Sequence, residues 1–132
     1  MNIKHIALNI SRDDEPIKFY KEILGFEMVK HFKLPAELSN TFFDVNKILP
    51  VYLYKRDEIF LEMFVYPDKI NLGAAHLCLE LTDREVIIEK CIICGYKVKR
   101  VSRVNKPDLV FIYDKTGNNF EIKEKESPTE AF

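Results

Sequence analysis

A chain of 132 residues that is 47% hydrophobic, with ten Phe and six Tyr, holds enough apolar material for one compact domain with a sizeable core. Its net charge of −1, with both signs interspersed, leaves no basic footprint for nucleic acid or an acidic membrane, and a small neutral or modestly charged molecule is the expected partner. No apolar run approaches the roughly 20 residues that span a bilayer, and Met1 to Lys4 lead straight into a strand without a secretory signal, so the expected location is the cytoplasm.

The first strand is predicted over residues 2–10, where Ile6, Leu8 and Ile10 share one face and His5, Ala7 and Asn9 the other. Ser11 to Pro16 opens a helix with capping acids and a proline near its first position. Ile17, Tyr20 and Leu24 hold helical spacing until Gly25 stops it. Phe26 to Lys33 reads as a strand and Leu34 to Lys47, with Pro35 and Ser39-Asn40, as an irregular connection. Strands Ile48 to Lys55 and Ile59 to Val65 follow, joined by a short hairpin turn at Arg56-Asp57-Glu58. In the second of these, Glu62 shares a face with Phe60 and Phe64.

Tyr66 to Ala75 is a linker, after which the pattern restarts with a strand at His76 to Leu81. Thr82-x-x-Glu85 has the form of a capping box, and Val86, Ile87, Cys91 and Cys94 give the next helix an apolar stripe that ends at Gly95. Strands are predicted at Tyr96 to Val101, Leu109 to Tyr113 and Asn119 to Glu124, with Glu121 on the face of Asn119 and Lys123. The three cysteines imply no disulfide framework. Cys91-x-x-Cys94 lacks the further thiols of an all-cysteine zinc site, so the three are expected to be small core hydrophobes.

His76 follows His5 by 71 residues, and Gly25 and Gly95 recur at nearly the same spacing, so the chain reads as a duplicated unit. The expectation is a single domain over 1–132 with one module at about 1–66, a second at about 75–124, and a polar tail at 125–132. His5 and His76 take matching places in the first strand of each half, and Glu62 and Glu121 in the last. Two imidazoles and two carboxylates on equivalent faces make a mixed nitrogen and oxygen set suited to one divalent ion such as Zn, Ni, Co, Mn or Fe. Recurrence carries this reading, because a solvated glutamate or a structural histidine has no need to repeat.

The phrases His5-Ile-Ala-Leu, Ile17-Lys-Phe-Tyr-Lys-Glu-Ile-Leu-Gly-Phe26 and His76-Leu-Cys-Leu-Glu-Leu81, with the stretch from Val110 to Ile122, resemble the vicinal oxygen chelate superfamily. Glyoxalase I, methylmalonyl-CoA epimerase, fosfomycin resistance proteins, extradiol dioxygenases and bleomycin-binding proteins belong to it. The resemblance runs from residue 3 to about residue 124. It implies an α+β fold of two βαβββ modules forming a cup-shaped mixed β-sheet, with helices on the outside and a metal in the cup. Position by position, His5, Glu62, His76 and Glu121 match the four ligands of glyoxalase I, and Asp114-x-x-Gly-x-x-x-Glu121 is the expected setting of the last. Lys115 stands where the family often has proline.

The resemblance further implies a metal-dependent lyase or isomerase of the glyoxalase type, moving a proton next to a carbonyl of a small substrate, with Glu62 or Glu121 as the acid/base group. Asn9, where bacterial glyoxalase I usually has arginine, and Ser102 to Pro107, where it has a Gly-rich loop, depart from the pattern that holds glutathione. Arg100, Arg103 and Lys106 offer an alternative handle for an anionic group. Two further readings remain open: addition of a thiol or water to a small electrophile, as in fosfomycin resistance, and metal-free small-molecule binding, as in the bleomycin-binding proteins. A homodimer is the expected assembly, the two modules of a cup coming from one chain or exchanged between two.

Overall fold

The computed structural model describes residues 1–68 and 72–125. Strands form where apolar and polar residues alternate: β1 (Ile6–Ile10), β2 (Glu27–Leu34), β3 (Leu49–Arg56), β4 (Ile59–Val65), β5 (Leu77–Leu81), β6 (Val98–Arg103), β7 (Lys106–Tyr113) and β8 (Asn119–Glu124). His5 and His76 each stand one residue ahead of the strand predicted to contain them. The chain divides into two compact units, Met1–Ile70 and Asn71–Phe132.

Both units build the same sheet. The strand order is β1-β4-β3-β2 in the first and β5-β8-β7-β6 in the second. β1 runs parallel to β4, and β5 parallel to β8, while the other neighbours are antiparallel. The fold is α+β, with two four-stranded mixed sheets and a βαβββ plan in each half. The repeat extends to register: the residue two after each histidine faces the candidate glutamate, Ala7 opposite Glu62 and Cys78 opposite Glu121.

In the first unit the predicted helix is a π-helix, Pro16–Lys21, whose turns are closed by Glu22 N–H donating to Ile17 O (3.0 Å) and Leu24 N–H to Phe19 O (3.1 Å). No side chain caps its start; the acids act instead through an Asp14–Lys18 ion pair one turn apart, at 2.9 Å. Phe19, Tyr20 and Leu24 are fully buried, and the π-helix contacts β2 and β3. Burying side chains of this size contributes roughly 2–3 kcal/mol each. Gly25 and Gly95 end the two helices at φ +75 and +77, a left-handed backbone that only glycine adopts without strain.

Three sequence expectations need correction. The stretch read as irregular contains a helix, α1 (Ala36–Phe43), with Pro35 at its N-cap, where a missing N–H costs nothing. Ser39 looked like a turn residue, yet it is fully buried and its hydroxyl, 3.2 Å from Ala36 O, has Lys47 O as its nearest acceptor, closing the segment on itself. Second, the helix after β5, α2 (Arg84–Ile93), has no side-chain cap; the Glu85 carboxylate of the expected capping box is held by both terminal nitrogens of Arg100 at 2.8 Å. Third, the buried face of α2 is Arg84, Ile87, Ile88 and Cys91, whereas Val86 and Cys94 are exposed. Cys78 is exposed as well, so only Cys91 is a core thiol, and all three are free.

The predicted Ser102 to Pro107 loop is a tight hairpin, with Arg103 opposite Lys106 and Asn105 at φ +57. The linker is described except for residues 69–71, and the polar tail lies, beyond Lys125, outside the described residues. Among the described residues no helix is long and apolar enough to cross a membrane.

Candidate functional site

Period-two alternation sets the first unit's pair. His5 lies on the face of Ala7 and Asn9, and the parallel register of β1 on β4 puts Glu62 on that same face, between Phe60 and Phe64. The His5 Nε2 to Glu62 Oε1 distance is 3.6 Å. In the second unit, β5 on β8 brings His76 Nε2 to 3.4 Å from Glu121 Oε2. Each carboxylate side chain is 18% exposed, so both are largely desolvated yet open to a small molecule. Within each unit, among the described residues, no third His, Cys, Asp or Glu joins the pair in an arrangement able to hold a metal ion. Each unit by itself therefore offers one imidazole nitrogen and one carboxylate.

The state of His76 follows from its other nitrogen. Nδ1 lies 2.7 Å from Ala74 O, and a carbonyl only accepts, so Nδ1 carries a proton. Nε2 then either carries a second proton or turns a lone pair toward the Glu121 carboxylate. A lone pair facing an anion at this distance is repulsive unless a cation lies between them. An Nδ1–H fixed by a backbone carbonyl leaves Nε2 as the nitrogen an imidazole offers to a metal ion or to a second proton. The Phe111 ring, 5.1 Å from the imidazole and edge-on, supports that orientation.

Glu121 is positioned from behind by the turn before β8. Oδ1 of buried Asp114 accepts the N–H groups of Thr116, Gly117 and Asn118, each at 2.9 Å, and Oδ2 accepts from Asn118 Nδ2 at 2.8 Å. This cage sets where β8 starts, two residues before Glu121. Lys115 donates to Gly95 O at 2.7 Å and covers the Tyr96 ring, tying the same turn to the end of α2. From α2, buried Arg84 donates to Ile122 O at 3.3 Å. Beyond the Asp-x-x-Gly spacing these roles were not readable from the sequence, because apart from the nearby Asn118 amide each partner is distant in the chain or is a backbone atom.

Cys78, opposite Glu121, shares its face; burial first, and then a hydrogen bond to Glu121, push the thiol above its ordinary 9.0. Arg100 is not free to bind substrate: besides the Glu85 fork, its Nε donates to Asp108 at 2.8 Å. Arg103 donates to Pro107 O and lines a cavity of about 780 Å³ that also touches Glu121, Lys123 and Glu80. A second cavity, of about 340 Å³, lies in the first unit beside Ala7, Asn9 and Phe64.

The model of the Glyoxalase/Bleomycin resistance protein/Dioxygenase superfamily matches residues 2–122. The chain belongs to this superfamily. Three solved structures show the superfamily fold around similar chains. A glyoxalase family protein from Enterococcus faecalis is 24% identical with a TM-score of 0.68, covering 92% of this chain and 95% of its own. Fosfomycin resistance protein FosX from Listeria monocytogenes, complexed with Mn(II) and sulfate, is 13% identical with a TM-score of 0.71, covering 99% and 98%. The trypanothione-dependent glyoxalase I of Leishmania major is 15% identical with a TM-score of 0.71, covering 99% and 91%. A comparison with curated proteins returns no match.

Proposed function

We propose that this superfamily member is a metal-dependent enzyme of the glyoxalase type, a lyase or isomerase that moves a proton next to a carbonyl of a small substrate. The observation that supports the reading is His76: its Nδ1 is committed to Ala74 O while Nε2 confronts Glu121 at 3.4 Å, a geometry that a second proton on the imidazole or a metal ion between the two groups would satisfy, and we take the metal because the same pair recurs in the first unit. The first unit supplies the equivalent pair, His5 and Glu62. One divalent ion held by His5, Glu62, His76 and Glu121, drawn from one chain or from two copies, has the donor set of a hard to borderline metal. When bound, such an ion supplies Lewis-acid stabilisation of negative charge on a substrate oxygen.

The chain's own groups do the rest. Glu62 or Glu121 takes the proton from the carbon next to the carbonyl and returns it to the neighbouring position, which places a carboxylate within hydrogen-bond reach of both. The hydrocarbon around Glu62, with Phe60 and Phe64 on either side, limits water around the developing charge. Hydrogen bonding of Asp114 to its turn and of Ala74 to His76 keeps the donors in place while the proton moves.

The test is turnover of the hemithioacetal of methylglyoxal, and of methylmalonyl-CoA, by chelator-treated protein before and after addition of Mn(II), Zn(II), Ni(II), Co(II) or Fe(II). Activity that returns with metal and disappears in both Glu62→Gln and Glu121→Gln is the expected result. Turnover indifferent to chelator and to both substitutions would remove the reading and favour a metal-free binder.

A further inference from the structure

The site face of the first unit is not uniform along its length. Near His5, Glu62 and Phe60 it is open, whereas two residues further along β4 it is roofed. Phe64 is 8% exposed, packs with fully buried Val51 and with Leu49, and meets the ring of Phe43 edge-on at 5.3 Å. Phe43 comes from α1, the helix held to the segment behind it by Ser39. Between roof and open face lies the 340 Å³ cavity, walled by Ala7, Asn9, Phe43, Leu49, Phe64 and Tyr66 among others. Ala7 is the direct strand partner of Glu62, and Asn9 that of Phe64, so the cavity begins beside the reacting carboxylate and extends about 7 Å from it along the strand.

We infer that this cavity receives an uncharged hydrocarbon group of the substrate, aryl or branched alkyl, while the oxygen-bearing carbons stay at His5 and Glu62. The inference rests on the reading above that this pair lies where the substrate reacts. Among the described residues no Asp, Glu, Lys, Arg or His lines the cavity, so none of them offers a counter-ion to a charged group entering it, which is strongly unfavourable. Lys47 stands 5.5 Å from the Tyr66 ring but is not part of the walls. Three aromatic residues and four aliphatic ones suit a flat or branched hydrocarbon, and the volume is in the range of small-ligand sites. The cavity bordering Glu121 is of the opposite kind, lined by Arg103, Lys123 and Lys125 together with Glu80 and Glu124.

The test compares three neutral or singly charged ketones by ligand-observed NMR, on chelator-treated and on Mn(II)-loaded protein: 2-hydroxyacetophenone, hydroxyacetone, and 2-hydroxyacetophenone bearing a para-carboxylate. The aryl ketone is expected to bind at least tenfold more tightly than hydroxyacetone in both forms, and the para-carboxylate to lose that advantage. Phe43→Ala, at a half-exposed position, is expected to reduce the aryl preference below threefold, and Val45→Phe, at a further wall residue where the larger ring fills the cavity, to do the same. Equal binding of aryl and methyl ketones, or a preference intact in both variants, overturns the inference. Because selectivity is read without metal as well as with it, a failure of Mn(II) to bind would count against the catalytic reading and leave the cavity tested on its own.

Discussion

Replacing Asp114 by alanine removes the acceptor of at least four hydrogen bonds, three from consecutive backbone N–H groups and one from the Asn118 amide. A hydrogen bond to a charged acceptor contributes about 1.5–3 kcal/mol. The four share one carboxylate in a single turn and do not add, so the loss is set at about 3–5 kcal/mol, the range for breaking a buried polar network. For a domain of this length that is a fall in Tm of roughly 10–20 °C. Asp114→Asn keeps the Oδ1 acceptor but turns an amide toward Asn118 Nδ2, donor against donor, for a smaller loss of about 1–2 kcal/mol. Because β8 starts where this turn ends, both variants are also expected to weaken Mn(II) binding, by 10- to 100-fold in Asp114→Ala. The chain has no Trp, so urea unfolding is followed by far-ultraviolet circular dichroism, and metal affinity by titration of folded protein. An Asp114→Ala protein within 1 kcal/mol of the parent would refute the assignment of this cage as the element that anchors Glu121.

Two further outcomes follow from groups away from the candidate site. The Arg100 fork, with lesser help from Arg84, holds the Glu85 carboxyl below its ordinary 4.5. Its contribution is therefore present above that pH and is lost as pH falls through the folded-state value, so Arg100→Met should flatten the acid limb of stability. The effect stays under about 1 kcal/mol because both side chains reach solvent; an acid limb identical to the parent's excludes the linkage. Burial pushes the Cys91 thiol up to about 12, whereas Cys78 and Cys94 are exposed. Native protein should thus lose Cys94 to iodoacetamide first, Cys78 more slowly because its thiol is held above its ordinary value, and Cys91 only on unfolding, with bound metal changing the rate at Cys78 because it faces Glu121. Mass spectrometry of the modified peptides checks the assignment, and rapid labelling of Cys91 contradicts it.

The sheets were legible because alternation is a local signal. β4 and β8 occupy the predicted residues, and both histidines fall on the predicted face beside their glutamates. α1 was hidden by Pro35 and Ser39-Asn40, which read as turn chemistry; Pro35 in fact starts the helix, and Ser39 finds its partner in Lys47, eight residues on. The capping box failed for a related reason, since a bidentate guanidinium is a stronger partner for Glu85 than a helix N–H, and Arg100 lies a strand away. The same pairing removed Arg100 from the groups available to an anionic substrate. At the candidate site, side-chain types could be read, but the Ala74 carbonyl that fixes His76 and the backbone amides that fix Asp114 carry no sequence signature.

The central claim is that two imidazoles and two carboxylates hold a cation, and the most direct measurement is Mn(II) titration followed by electron paramagnetic resonance of free ion. One Mn(II) bound per chain, with affinity falling at least 100-fold in His5→Ala, Glu62→Gln, His76→Ala and Glu121→Gln while each variant keeps the parent's circular dichroism spectrum, is the predicted result. Mn(II) binding that survives all four substitutions, or no binding of Mn(II) or Zn(II) by the parent protein, would contradict it.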